Sequence, residues 1–169
     1  AEKFGFNADP VIDLPDAARS RFPTDYGAFI APLDAYQPEG SEELRNGETP
    51  IHENSAILAQ AAIGQNDVKA TPLQMAMVAA AIANDGLMMT PHVVSEVRSA
   101  DGGIYSTIEP TSWRPALSPF AADRLQAAMI NVAEIGTATR MQVDGLTVGG
   151  KTGTAQLGTT PASSHAWVV

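Results

Sequence analysis

Apolar positions crowd most densely between Thr71 and Gly86, where Leu73, Met75, Met77, Val78 and Ile82 are interleaved with alanines and hardly any polar face remains. A helix that is apolar around its whole circumference is expected to be buried, running through the core of a larger body. Its ends are written in the same stretch. Thr71 can act as N-cap, Pro72 suits the first helical position, and Gln74 completes a Thr-x-x-Gln capping box. Asn84-Asp85-Gly86 supplies the stop. The methionines in such a helix read as packing rather than as a binding surface.

Downstream the period changes. Val93, Ser95 and Val97 alternate with Val94, Glu96 and Arg98, and Asp101-Gly102-Gly103 turns the chain into Ile104–Ile108, predicting a β-hairpin. Ser118-Pro119 opens a second helix, with Leu125, Met129 and Val132 on one face, ending near Gly136. A turn through Thr137-Ala138-Thr139 leads to Asp144-Gly145. From there a strand is expected from about Leu146 to Gln156, then a loop of small residues over 158–164 and a last strand, His165–Val169. These two strands read as a hairpin with a longer loop. At the other end, residues 1–10 read as the end of a helix broken at Phe4-Gly5-Phe6. From Pro10 to Pro50 the chain is rich in Pro, Gly, Asp and Glu and weakly periodic, which predicts an irregular excursion with short elements at most.

Composition narrows the class. The chain has 169 residues, 44% of them hydrophobic, enough for one domain or a large part of one. Its net charge of −9, with only ten Lys and Arg in scattered positions, argues against a nucleic-acid partner. Zero cysteines removes disulfides and thiolate metal sites and suits an extracytoplasmic bacterial protein. The longest purely apolar run, Met75–Ala83, is about half of the ~20 residues a membrane span requires. Any anchor is therefore expected outside this chain. The start at Ala1 and the apolar finish at Trp167-Val168-Val169 suggest an excerpt of a longer sequence.

The strongest chemical signal is Lys151-Thr152-Gly153-Thr154-Ala155-Gln156. On a strand it places Lys151, Gly153 and Ala155 on one face and Thr152, Thr154 and Gln156 on the other. Backbone groups at a strand edge can pair with an extended peptide, and Gly153 removes the Cβ that would hold a substrate off. Strand twist lets Lys151 and the threonine hydroxyls share one end of the groove, where a cation and donors would fix an anion. The Thr154 N–H could donate to a developing oxyanion. Read alone, the strand could also be purely structural. Neither a Ser-x-x-Lys nor a Ser-x-Asn pattern occurs anywhere in the chain.

Metal sites fare poorly. His52, His92 and His165 are widely scattered, and His52-Glu53 lacks a second histidine at helical spacing. Asp9, Asp13 and Asp16 lack the glycine and terminal glutamate of an EF-hand loop. Asp123 lies early in the second helix, where a carboxylate suits the helix dipole without a catalytic role. No metal and no cofactor is expected.

Lys-Thr-Gly is the third signature of penicillin-binding proteins and serine β-lactamases. The longer string KTGTAQ resembles the class B penicillin-binding proteins, the D,D-transpeptidases that cross-link peptidoglycan. Ile63–Gly86 resembles that family's core helix and the loop before it. The Gly-Thr-Ala turn at 136–138 and His165-Ala166-Trp167 follow in the family's order. The overall likeness is closest to its actinobacterial cell-division members. The family usually has Ile-Gly-Gln-Gly where this chain has Ile63-Gly64-Gln65-Asn66.

The resemblance implies an α/β (α+β) architecture, the penicillin-binding/serine β-lactamase-like transpeptidase fold, with helices packed on an antiparallel sheet. It implies that residues 1–169 are the C-terminal portion of a transpeptidase domain. The segments carrying Ser-x-x-Lys and Ser-x-Asn would precede it, and a terminal strand and helix would come after it. The nucleophile would then lie outside the chain, leaving this portion inactive by itself. Lys151 would polarise the middle motif and attract the substrate carboxylate, while Thr152 and Thr154 would hydrogen-bond that carboxylate. Gly153 would line the groove, and the Thr154 N–H would complete the oxyanion hole. D-Ala-D-Ala stem peptides and β-lactams would be the ligands. The parent protein would be membrane-anchored on the extracytoplasmic face, beside other cell-wall synthesis proteins. A β-lactam-sensing, non-catalytic module of the same fold and a serine β-lactamase are the alternatives; Thr-Ala-Gln after Lys-Thr-Gly counts against the latter.

Overall fold

Thr71 starts its helix as the sequence predicts, its hydroxyl accepting from the Gln74 N–H at 3.1 Å. The reciprocal half of the capping box is rebuilt. The Gln74 side-chain amide donates instead to the Phe4 carbonyl, and the Thr71 N–H donates to Ser20 Oγ at 3.0 Å. Gln74 and Ser20 are both buried, so each polar group is satisfied across the fold rather than within one helical turn. The structure is a computed structural model and describes residues 1–27, 29–32, 50–52, 54–158 and 163–169.

In chain order the elements are β1 (Phe29–Pro32), β2 (Pro50–His52), α1 (Ser55–Ala62), α2 (Pro72–Ala83), β3 (Leu87–Met89), β4 (Glu96–Arg98), β5 (Ile104–Thr107), β6 (Ser112–Pro115), α3 (Pro119–Glu134), β7 (Thr152–Gln156) and β8 (Ser164–Val168). Every ladder among the described residues is antiparallel and two-stranded: β1 with β2, β3 with β6, β4 with β5, and β7 with β8. The chain divides into two units, one of residues 22–68 and one of residues 1–21 with 69–169.

The smaller unit holds β1, β2 and α1. The sequence pattern missed α1, and its buried residue is only Ala61. Asn66 adopts φ +60°. Asn is among the few non-glycine residues that tolerate this left-handed conformation, which accounts for Asn standing where the related family usually has glycine. Residues 10–27 are irregular and β1 is a short element within the predicted excursion, as expected; its residues 28 and 33–49 lie outside the described residues.

In the larger unit α2 packs on α3 and on β3. The core centres on Ala81, Met88 and Ala116, with Phe4, Met77 and Trp113 against it. Within this chain Gln74, Ala81 and Ile82 of α2 are buried, and the rest of the helix is half-buried or exposed. Alanine allows close approach of helix and strand but leaves little area to cover. Gly86 ends the helix at φ +85°, and a Cβ there would stand 2.4 Å from the Leu117 carbonyl. The same glycine carbonyl accepts from Ala116 N–H at 2.8 Å, tying the helix end to β6. Near the start, a 3₁₀ turn over Glu2–Phe4 is stopped by Gly5 at φ +87°. Any Cβ on Gly5 would overlap the Trp113 ring.

The β4–β5 hairpin forms with shorter strands than the alternation predicts. Ser99 N–H meets the Gly103 carbonyl at 2.9 Å, closing a three-residue loop with Gly102 at φ +87°. Residues 93 and 94 are held differently. Asp13 accepts from the Val93 N–H at 2.8 Å and the Val94 N–H at 3.1 Å. Those amides are the main reason its carboxyl is held below the usual range, with a minor contribution from the nearby His92. Asp13 thus has a structural job.

Candidate active-site wall

Ser118 caps α3 by accepting from Ala121 N–H at 3.2 Å, with Pro119 in the first turn, and the helix runs to Glu134 as predicted. The turn after α3 then positions the Lys-Thr-Gly strand. Gly136 is required by close approach, since a Cβ there would lie 2.8 Å from Val132 Cα. Ala138 is buried and donates its N–H to the Val132 carbonyl at 3.1 Å. Thr137 between them is therefore fixed at the tip of a tight turn.

The strand itself begins later than expected. Residues 146–151 are not strand, and the ladder starts at Thr152. The physical reason lies in Gly149 and Gly150. Gly149 runs against Met129, where an added Cβ would be 3.3 Å from Met129 Cβ, and Gly150 donates its N–H to the Met129 carbonyl at 3.0 Å. The chain is docked on α3 there instead of being paired with β8. This Gly-Gly pair sets the point at which Lys151 enters the hairpin, and sequence reasoning absorbed it into the strand.

From Lys151 onward the register is regular. Lys151 and Val169 exchange both backbone hydrogen bonds, at 2.8 and 3.1 Å. Thr152 faces Val168, Gly153 faces Trp167, Thr154 faces Ala166, Ala155 faces His165 and Gln156 faces Ser164. Antiparallel pairing alternates, so the backbone groups of 153 and 155 point into β8, while those of Thr152, Thr154 and Gln156 point to the opposite edge. The Thr154 N–H thus faces the edge away from β8. Directly opposed residues share a face, which puts Lys151, Gly153 and Ala155 with Trp167 and His165.

Side chains complete the geometry. The Lys151 ammonium turns to that same outer edge and donates to the Thr152 carbonyl at 2.6 Å. Lys151, Gly153 and Thr154 are exposed, and Thr152 is half-buried. Thr152 Oγ1 lies 2.7 Å from Thr137 Oγ1. At Gly153 the nearest atom to an added Cβ is Trp167 Cβ at 3.5 Å, an ordinary contact, and φ is not in the left-handed region. The fold around it would accept alanine. The four residues singled out from the sequence, Lys151, Thr152, Gly153 and Thr154, therefore sit together on one accessible edge carrying a cation, hydroxyls and outward backbone groups. Thr137 joins them unannounced; its Gly-Thr-Ala turn is visible in the sequence, but its approach to Thr152 is not.

The other candidates separate. His92 Nδ1 is 2.8 Å from the Val94 carbonyl, and Asp9 pairs with Arg19. Among the described residues no group of three His, Cys, Asp or Glu is placed to hold a metal, and no helix is long and apolar enough to cross a membrane.

The whole chain, residues 1–169, matches the family described as penicillin binding protein transpeptidase domain. This chain belongs to that family. The transpeptidase-domain chain is 42% identical over 139 residues to the peptidoglycan D,D-transpeptidase PbpA of Mycolicibacterium smegmatis, covering 81% of this chain and 28% of that protein. It is 28% identical to the peptidoglycan D,D-transpeptidase MrdA of Acinetobacter baumannii, covering 92% of this chain and 20% of that protein. Its fold matches the crystal structure of PBPA from Mycobacterium tuberculosis with a TM-score of 0.75 at 30% identity, covering 99% of this chain and 34% of that one. A ceftriaxone acyl-enzyme complex of penicillin-binding protein A from the same organism matches equally well, with a TM-score of 0.75 at 31% identity, covering 99% of this chain and 32% of that one. The α/β transpeptidase fold and the actinobacterial kinship expected from the overall likeness are both borne out. The chain spans 28% of the length of the M. smegmatis relative.

Proposed function

We propose that this chain is the C-terminal portion of a serine D,D-transpeptidase domain and forms one wall of its active site. In the parent protein a serine on sequence outside these 169 residues attacks the D-Ala-D-Ala amide of a stem peptide. The peptide bond breaks, D-alanine leaves with a proton, and an amine of a neighbouring stem peptide then takes the acyl group from the serine ester. Lys151 attracts the substrate carboxylate, and the hydroxyls of Thr152 and Thr154 hydrogen-bond it. The Thr154 N–H, on the edge away from β8, serves as a donor to the tetrahedral oxyanion. Gly153 lets the extended substrate lie against the strand. β-Lactams carry the same carboxylate beside a strained amide and occupy the same groove.

The observation that carries this reading is the register of β7 on β8. It sends the backbone of Thr152 and Thr154, and the Lys151 ammonium, to one edge. Support also comes from the relatives, one of which is an acyl-enzyme complex with a β-lactam. The reading places the protein on the extracytoplasmic face, where peptidoglycan is made, with its membrane anchor and its partners among cell-wall synthesis proteins engaged by other segments.

Adduct mapping tests it. The parent protein is acylated with penicillin G, digested, and the modified peptide identified by mass spectrometry. The adduct is expected on a serine outside this chain, and the isolated 169-residue chain is expected to remain unmodified. A penicilloyl group on any residue of this chain would overturn the assignment.

A further inference from the structure

Thr137 and Thr152 come from different elements, and neither needs the other to fold. Gly136 and Ala138 already fix the turn against Val132, and the β8 ladder already fixes the strand. Yet their hydroxyl oxygens meet at 2.7 Å on an exposed surface, where water would satisfy both equally well. We propose that Thr137 is a positioning residue for substrate binding: its hydroxyl donates to Thr152 Oγ1 and so commits the single Thr152 proton to the substrate carboxylate. The inference rests on the reading of β7 as the carboxylate-binding wall.

The chemistry turns on proton count. A threonine hydroxyl has one proton and two lone pairs. If Thr152 donated to Thr137, it would present only lone pairs to an anion, and the contact would be repulsive. If Thr137 donates, the Thr152 proton is left to turn to another acceptor, such as the substrate carboxylate. A hydroxyl that accepts one hydrogen bond also donates a stronger one. The contact further restrains χ1 of Thr152, whose branched side chain has few rotamers to choose from. Binding an anion therefore selects one direction for the pair, and the turn after α3 sets how well the strand can hold a carboxylate.

The test uses the parent protein and the second-order rate of acylation by penicillin G, compared with its methyl ester. Thr137→Val removes the donor at constant shape. It is expected to slow acylation by the free acid about threefold to tenfold, the worth of one net hydrogen bond. The ester is expected to be affected much less. Thr137→Ser keeps the donor and is expected to restore the rate. In a Thr152→Val background, Thr137→Val is expected to have no further effect. Equal slowing of acid and ester, additivity with Thr152→Val, or a Thr137→Val protein that reacts like wild type would each overturn the inference. Lys151→Ala is run in parallel. If it is slow while Thr137→Val is normal, only the inference fails; if it also reacts normally, the carboxylate-wall reading fails with it.

Discussion

At the scale of single residues, Gly153 separates folding from function. A Cβ there meets only Trp167 Cβ at 3.5 Å, and the backbone needs no positive φ. Gly153→Ala is therefore expected to leave unfolding free energy within about 0.5 kcal/mol of wild type, while the parent protein loses penicillin acylation. Urea titration and labelling with a fluorescent penicillin check the two halves. A large loss of stability would show that the glycine serves the fold. Gly5 is the opposite case, because Trp113 fills the space a side chain would need. Asp13 gives a pH signature. Its pKa is lowered first by the Val93 amide, so the carboxylate clamp is intact above the ordinary value of 3.8 and is lost as pH falls through the lowered one. The amide proton shifts of Val93 and Val94 are expected to titrate together, with a midpoint below 3.8, and to stop doing so in Asp13→Ala. A midpoint above that value would contradict the clamp.

At the scale of elements, the ends of α2 and α3 were legible because capping is local: Thr71-Pro72, Asn84-Asp85-Gly86 and Ser118-Pro119 each state a helix boundary within a few residues. The β7–β8 pairing was legible for the same reason, as two short β-rich runs around a small-residue loop. What stayed hidden was set at a distance. Leu146–Lys151 looks strand-like, but Gly149 and Gly150 dock on Met129 of α3, a partner some twenty positions away in the chain. Gln74 completes a capping box in the sequence and bonds Phe4 in the fold. Thr137 meets Thr152 only because the turn after α3 folds back. The site was thus readable as composition and motif, not as geometry. Thr71→Ala tests the cap directly, since its hydroxyl serves Gln74 and lies 3.4 Å from Ser20 Oγ. It is expected to cost about 1 kcal/mol, and up to ~2 if the Ser20 hydroxyl proton loses its acceptor, since Ser20 Oγ keeps the Thr71 N–H. Thermal or urea unfolding measures this, and an unchanged midpoint would mean the cap is idle.

At the scale of the whole molecule, the larger unit gathers its chemistry on one edge of a two-stranded hairpin. A hairpin alone is marginal in water, so its hold on α3 through Gly150 matters for where that edge stands. The chain supplies a cation, hydroxyls and an outward N–H, and among its residues no Ser-x-x-Lys or Ser-x-Asn pattern accompanies them. On the proposed function, this edge holds the carboxylate of a substrate whose acylation occurs on a serine elsewhere in the parent. Lys151 is exposed, and its hydrogen bond to the Thr152 carbonyl does not secure the fold. The most direct measurement is the second-order acylation constant of the parent protein with fluorescent penicillin, for wild type and Lys151→Ala. The expected result is a fall of roughly 10²-fold, with a melting temperature within about 2 °C of wild type. An unaltered acylation constant would make β7 a structural strand and contradict the account.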